Sequence, residues 1–533
     1  MIIGVQPVTA WQKGFAAVDF IAMQFFPKLQ KTTHRCLAGR APLFLILAGL
    51  AGSSFAQGLP AEVEAALARA KVPREAVTLL VVDAQGRLPA RLSYRANVPV
   101  NPASVMKLVT TYAALDLLGP AFTWSTPVYV EGSVRDGTLT GNLVIRGQGD
   151  PKLVSERLWL LLRRVQGLGI VAINGDIVLD HSAFEDVEQD PAAFDGEALR
   201  PYNAAPDALL INFKSVVMTF VPDRNGNVAQ VQYEPALSGV QMQASVPLAK
   251  GSVDCGDYRT ALRADFSDPG AIRFLGTYAA ACGEKVWPVA YADPRSYAVR
   301  AVEGMWRDMG GKLNGKVRDG RLAAAYGGAS TAGSTNAGSI RPAFEISSPP
   351  LPEVIRDINK YSNNVMAQQL FLTLSLQTKA QFTNAAPRSH AMAGEAATLA
   401  ASREVVQRWW RTAISNDDVP TLDNGSGLSR SERITAQALA RLLQTAYASP
   451  MMPELMSSLS ITGVDGTLRR SRSKAQGSAH LKTGTLRDVV GVAGYVLAGS
   501  GKRYVLVMIV NHPSAGAARP AIDALLDWTA RDN

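Results

Sequence analysis

The sequence predicts an α+β fold in which helix and strand patterns at both ends flank a long strand-rich region. Three stretches carry that reading: a helix with both ends marked near residues 101–120, alternating β-branched runs with turn clusters through residues 122–293, and three strand patterns closed by a helix at the C-terminal end.

With 533 residues, 47% hydrophobic and 19% charged, the chain can bury a large core, and its composition excludes collagen-like, mucin-like and coiled-coil classes. At roughly 100–200 residues per domain, the length fits two to four structural units or one domain with long insertions. The formal charge of +9 falls to +5 once the first 56 residues are set aside, because they hold five basic residues against Asp19. No basic run stands out in the remainder, so nucleic acid is not an expected partner.

In chain order, residues 1–56 read as an export signal. Basic residues extend to Arg40, an apolar run covers 41–52, and Ser53-Ser54-Phe55-Ala56 puts small residues at both positions that define cleavage. The apolar run has twelve residues, whereas a spanning helix needs about 20. An uncleaved N-terminal anchor is the alternative, peripheral membrane contact is left open, and Met23 offers a second start because nothing before it fits the signal pattern. Cleavage leaves Cys255 and Cys282, and two cysteines in an exported chain suggest one disulfide, with a buried pair of free thiols as the alternative. No histidine stands at finger-like spacing from either cysteine, so no metal or other cofactor is expected.

The helix signal at Asn101-Pro102-Ala103-Ser104-Val105-Met106-Lys107 runs through Leu108, Tyr112, Leu115 and Leu118 to Gly119-Pro120. Asn101 suits the N-cap, Pro102 the first helical position, and Gly119-Pro120 the stop. From 122 to 293 the pattern is strand-rich, a helix is expected over 294–309, and the Gly/Ala/Ser/Thr-rich residues 327–338 read as a mobile tether. After Pro349-Pro350 a helix built on Val354, Ile355 and Ile358 breaks at Tyr361-Ser362-Asn363-Asn364 and resumes from Val365 to Leu374. Residues 480–486, 489–497 and 504–511 read as strands, and 520–530 as the closing helix.

Three elements carry chemistry. Ser104 and Lys107 lie one helical turn apart, within reach for an amine to take the hydroxyl proton, and free N–H groups at a helix start favour a developing oxyanion. Ser471 and Lys474 share the same spacing without the helical context. Ser362 and Asn364 offer a hydroxyl and an amide at a helix break, where both can turn into a cleft; Ser334-Thr335-Asn336 repeats the form inside the tether, which cannot hold a side chain rigidly. Lys482-Thr483-Gly484-Thr485 lies on a strand, where the lysine and threonine can grip a terminal carboxylate and Gly484 permits close backbone approach. Taken singly, each has a plain structural explanation: a helix-start serine, a turn serine, a solvent-facing edge lysine.

In this order the three elements form the constellation of penicillin-binding proteins and class A β-lactamases. The 254 residues between Lys107 and Ser362 make the chain resemble the D-alanyl-D-alanine carboxypeptidase/endopeptidases of the class C low-molecular-mass penicillin-binding type, which carry a large insertion after the first motif. Gly149-Asp150-Pro151, Asn174-Gly175-Asp176, the run Asp423 to Arg430 and Gly463-Val464-Asp465-Gly466-Thr467-Leu468 extend the resemblance over nearly all the mature chain. Asn363 stands where many relatives carry Asp.

The resemblance implies a penicillin-binding/serine β-lactamase-like catalytic domain at 57–121 and 294–533, with 122–293 as a strand-rich insertion of two subdomains, in a periplasmic enzyme acting on peptidoglycan stem peptides and acylated by β-lactams. It further implies that Ser104 attacks the penultimate D-Ala carbonyl with Lys107 as base. Ser362 would pass the proton to the leaving amine, Asn364 would hold the substrate amide and Lys107, and Lys482 with Thr483 would bind the substrate carboxylate beside Gly484. The N–H groups of Ser104 and Thr485 would form the oxyanion hole. A β-lactamase and a non-catalytic cell-wall scaffold are the competing readings.

Overall fold

The computed structural model describes residues 58–187, 190–322, 341–382 and 396–532. The expected signal segment and the 327–338 tether, with its Ser334-Thr335-Asn336, lie outside them.

Strand propensity and apolar alternation converge on one six-stranded antiparallel sheet in the order Ser460–Ile461, Ala479–Leu486, Val489–Leu497, Arg503–Asn511, Val77–Asp83 and Leu92–Tyr94. Both of its faces are covered, so Val77–Asp83 is an unbroken buried run rather than an alternating one. One face, with Val77, Leu79, Val492 and Met508, packs under helices Ala61–Arg69 and Arg519–Ala530. The other, with Leu80, Ala493, Val507 and Ile509, packs against helices Lys107–Leu118, Leu351–Tyr361, Asn364–Phe382, Leu399–Ala413 and Ala436–Ala448.

The start of the first motif helix departs from expectation. Asn101 does accept from Ala103 N, at 2.9 Å, but Ala103 to Met106 form a 3-10 turn before the α-helix begins at Lys107. Ala103 takes φ 48°, a left-handed conformation costly for a residue with a Cβ. The helix stops where expected, at Gly119 with φ 78°.

The inserted region has its own apolar core between a seven-stranded sheet, which contains the hairpin Ser125–Arg135 and Thr138–Arg146, and a four-stranded sheet built on Ser215–Asp223 and Val228–Glu234. Cys255 and Cys282 are joined in a disulfide with S–S 2.12 Å. Helix Ser155–Gly167 also belongs to this core. So do Tyr297, Ala301 and Trp306 of helix Tyr297–Asp308, together with Phe344 and Ile346 of strand Phe344–Ser347. Residues on the C-terminal side of 294 thus pack in the same apolar core as the strands of 122–293.

Candidate active site

Lys107 is fully buried on the first turn of its helix, with Nζ 2.9 Å from Ser104 Oγ and 2.6 Å from Asn364 Oδ1. It also donates to the carbonyl of Ser426. Its ammonium is held well below the usual lysine pKa, by burial first and then by the charge of Lys482, while Glu432 pulls the other way.

The second motif sits where helix Leu351–Tyr361 ends. Ser362 takes φ 57° and reverses the chain, and helix Asn364–Phe382 starts immediately afterwards. Asn363 Oδ1 accepts from Met366 N at 3.0 Å, so its amide oxygen caps the new helix as an aspartate would, and the departure at this position leaves the break intact. The break aims both flanking side chains inward: Asn364 at Lys107, and Ser362 at Lys482, whose Nζ lies 2.8 Å from Ser362 Oγ.

Lys482 is also fully buried, and desolvation lowers its pKa to about 7. Its strand lies against the turn that carries Ser104: a Cβ on Gly484 would come within 2.6 Å of Pro102 O and 3.0 Å of Val105 N, so only glycine allows this approach. Strand Ser460–Ile461 pairs only as far as Leu481, leaving the edge from Thr483 onward open toward the cleft. Thr483 Oγ1 lies 2.7 Å from Thr467 Oγ1.

Ser104, Lys107, Ser362, Asn364 and Lys482 are thus brought together, with Thr483, Gly484 and Thr485 beside them on a cleft of about 1480 Å³ that Ser104 lines. The alternative pair is not assembled: Ser471 Oγ donates to Asp523 at 2.7 Å rather than facing Lys474.

Several residues important to this geometry escaped sequence reasoning. The carbonyl of Ser426 is a partner of Lys107, and its loop turns at Gly425 (φ 72°) and Gly427 (φ 79°), where a Cβ on Gly427 would meet Ala103 O at 2.0 Å. Beneath the loop, Oε1 of the fully buried Glu432 accepts from the N–H groups of Asp423, Asn424 and Gly425. Burial pushes the Glu432 carboxyl up to about 7 against those hydrogen bonds. The Asp423 to Arg430 run carried a recognisable signal, whereas Glu432 carried none. The insertion also reaches in: Tyr202 O accepts from Asn364 Nδ2 at 3.3 Å, and Phe194, Asp195 and Phe213 line the same cleft. Among the described residues there is no cluster of His, Cys, Asp or Glu suited to a metal ion.

A family model described as the D-Ala-D-Ala carboxypeptidase 3 (S13) family matches residues 59–532. The chain is 25% identical to the D-alanyl-D-alanine carboxypeptidase DacB of Haemophilus influenzae, over 79% of this chain and 83% of that protein. It is 27% identical to a D-alanyl-D-alanine carboxypeptidase of an Actinomadura species, over 79% and 75% of the two chains. The crystal structure of penicillin binding protein 4 from Haemophilus influenzae superposes with a TM-score of 0.64 at 22% identity, covering 87% of this chain and 99% of that one, a likeness of fold.

Proposed function

The chain belongs to the D-Ala-D-Ala carboxypeptidase 3 (S13) family, and on that premise we propose that it is an exported, penicillin-sensitive serine carboxypeptidase that trims peptidoglycan stem peptides through an acyl-enzyme on Ser104. The observation that carries this reading is the buried Lys107 amine, 2.9 Å from the serine hydroxyl and beside a second buried cation. An amine biased toward its neutral form can accept a proton, and a serine hydroxyl needs such a base to become nucleophilic.

Ser104 Oγ attacks the carbonyl of the penultimate D-Ala while Lys107 Nζ takes the hydroxyl proton. The negative charge that develops on the carbonyl oxygen falls to the N–H groups of Ser104 and Thr485, a contribution of about 3 kcal/mol per donor in comparable sites. Collapse breaks the peptide bond, and Ser362, linked to Lys482 at 2.8 Å, passes a proton to the departing amine. Water then hydrolyses the ester and releases the shortened peptide. The terminal carboxylate sits against Lys482, Thr483 and Thr485, and a β-lactam carboxylate would use the same grip. Among the described residues no helix is long and apolar enough to cross a membrane.

Labelling by a fluorescent penicillin, paired with release of D-alanine from a stem pentapeptide, tests the proposal. The wild type should form a stable adduct and release D-alanine, and Lys107→Ala should do neither while remaining folded. Full labelling of Lys107→Ala would discard the base, and rapid turnover of the penicillin would favour a lactamase.

A further inference from the structure

The cleft does not end at the Lys482 strand. In the pairing with strand Val489–Leu497, Lys482 is opposite Ala493, whereas Thr483 and Thr485 are opposite Val492 and Val490. Ala493 belongs to the core on the Ser104 side of the sheet, and Val490 and Val492 to the core under helix Arg519–Ala530. Alternation therefore turns Thr483 and Thr485 toward the second face, and the cleft, which also includes Val492 and Ile522, wraps round the open strand edge onto it.

Four arginines from three separate segments line that continuation: Arg470 and Arg472 on the loop after Leu468, Arg487 after the end of the Lys482 strand, and Arg519 at the start of the closing helix. All four are exposed, and none of their guanidinium groups has a partner among the described residues. The nearby carboxylate is already occupied: Asp523, one turn after Arg519, accepts from Ser471 Oγ at 2.7 Å and from Arg472 N at 3.4 Å. Those two bonds tie the loop that carries Arg470 and Arg472 to the helix that carries Arg519. Exposed guanidinium groups without a carboxylate partner are available to pair with a ligand that carries carboxylates.

We propose that this arginine pocket binds the free carboxylates of the leaving segment when the scissile bond joins two stem peptides, so that it selects cross-linked substrates over single ones. The inference rests on the acyl-transfer reading above. If the leaving residue's own carboxylate is gripped at Lys482 and Thr483, whatever is attached to that residue must pass Thr485 and enter the arginine-lined space. A leaving group of free D-alanine never reaches it.

The test compares three substrates with the full chain: a stem pentapeptide, a cross-linked dimer, and the same dimer with its leaving-side carboxylates amidated. The wild type should cleave the free-acid dimer about tenfold better in kcat/KM than the amidated one, as expected for a few exposed ion pairs, and the preference should shrink at 0.5 M salt, an ionic strength that screens them. R470Q/R472Q/R519Q should lose about that tenfold on the free-acid dimer alone, with pentapeptide hydrolysis and penicillin labelling unchanged. Equal rates of the wild type on both dimers would overturn the pocket, and so would a parallel fall of the triple variant on pentapeptide and dimer. That first outcome needs no variant to fold. Pentapeptide hydrolysis without dimer discrimination removes the pocket and keeps the carboxypeptidase; a wild type that neither hydrolyses the pentapeptide nor reacts with penicillin removes both.

Discussion

The core between the six-stranded sheet and the motif-bearing helices buries three lysines, Lys107, Lys360 and Lys482, and a glutamate, Glu432. The core of the inserted region is almost wholly apolar, and among its described residues the fully buried charged ones are two aspartates, Asp150 and Asp180. Taking an amine out of water costs several kcal/mol, which a merely structural core avoids by using leucine or valine. The contrast fits the proposed chemistry: in the motif-bearing half burial lowers the pKa of two amines, while in the insertion it supplies cohesion for a wall of the cleft.

The largest expected effect comes from removing that chemistry at constant shape. Lys107→Met should lower penicillin acylation by about 1,000-fold or more, yet leave the melting temperature unchanged or higher, because an apolar side chain replaces a desolvated amine. A marked loss of stability with acylation retained would show that Lys107 serves packing, and the contrast between the two cores would fail.

Next in size is Lys482→Gln, expected to raise KM for a carboxylate-ended peptide by about tenfold while changing kcat less. Since the Lys482 pKa is lowered to about 7, the free enzyme loses this cation as pH rises, and wild-type KM should climb above pH 7 while that of the variant stays flat. A pH profile shared by both proteins would assign the titration to another group.

A pair of glycines compares the regions directly. Gly427 (φ 79°) has Ala103 O at 2.0 Å from the position of a Cβ, whereas Gly169 (φ 83°) in the insertion has nothing within 4 Å. Gly427→Ala should cost about 2 kcal/mol or more and slow acylation, and Gly169→Ala about 1 kcal/mol with acylation unaffected. Chemical denaturation beside labelling rates separates the two.

The smallest effect is expected in the insertion. Burial alone would lower the His181 pKa, but a hydrogen bond to Asp207 and the Asp319 carboxylate 3.3 Å from Nε2 raise it to about 10, and Lys214 completes the group at 2.9 Å from Asp207. A raised histidine pKa gives stability that is fully present below the ordinary value of 6.5 and is lost as pH rises through about 10. His181→Gln should therefore melt a few degrees lower than the wild type at neutral pH, with the gap closing by pH 10.5. A gap that persists there would mean the imidazole acts by shape.

The same contrast explains what was legible in the sequence. Local signals read well: the stop at Gly119, the break at Ser362, and the strand and closing helix around Lys482 follow from glycine, capping and alternation. Long-range pairing did not. Strand Val77–Asp83 joins Arg503–Asn511 across more than four hundred residues, and helix Ala61–Arg69 turns inward only Val63, Ala66 and Leu67, too short an apolar stripe to stand out. In the site, the residues proposed to reach the reacting atoms were visible as motifs. Glu432, Ser426 O and Tyr202 O act through backbone groups or from a distant segment, and local spacing does not encode that.

The most direct test of the central claim is mass spectrometry of the peptide carrying Ser104 after brief exposure to benzylpenicillin, with Lys107→Met alongside. The account predicts a penicilloyl adduct on Ser104 in the wild type and none in the variant. An adduct on Ser471, or equal modification of both proteins, would contradict it.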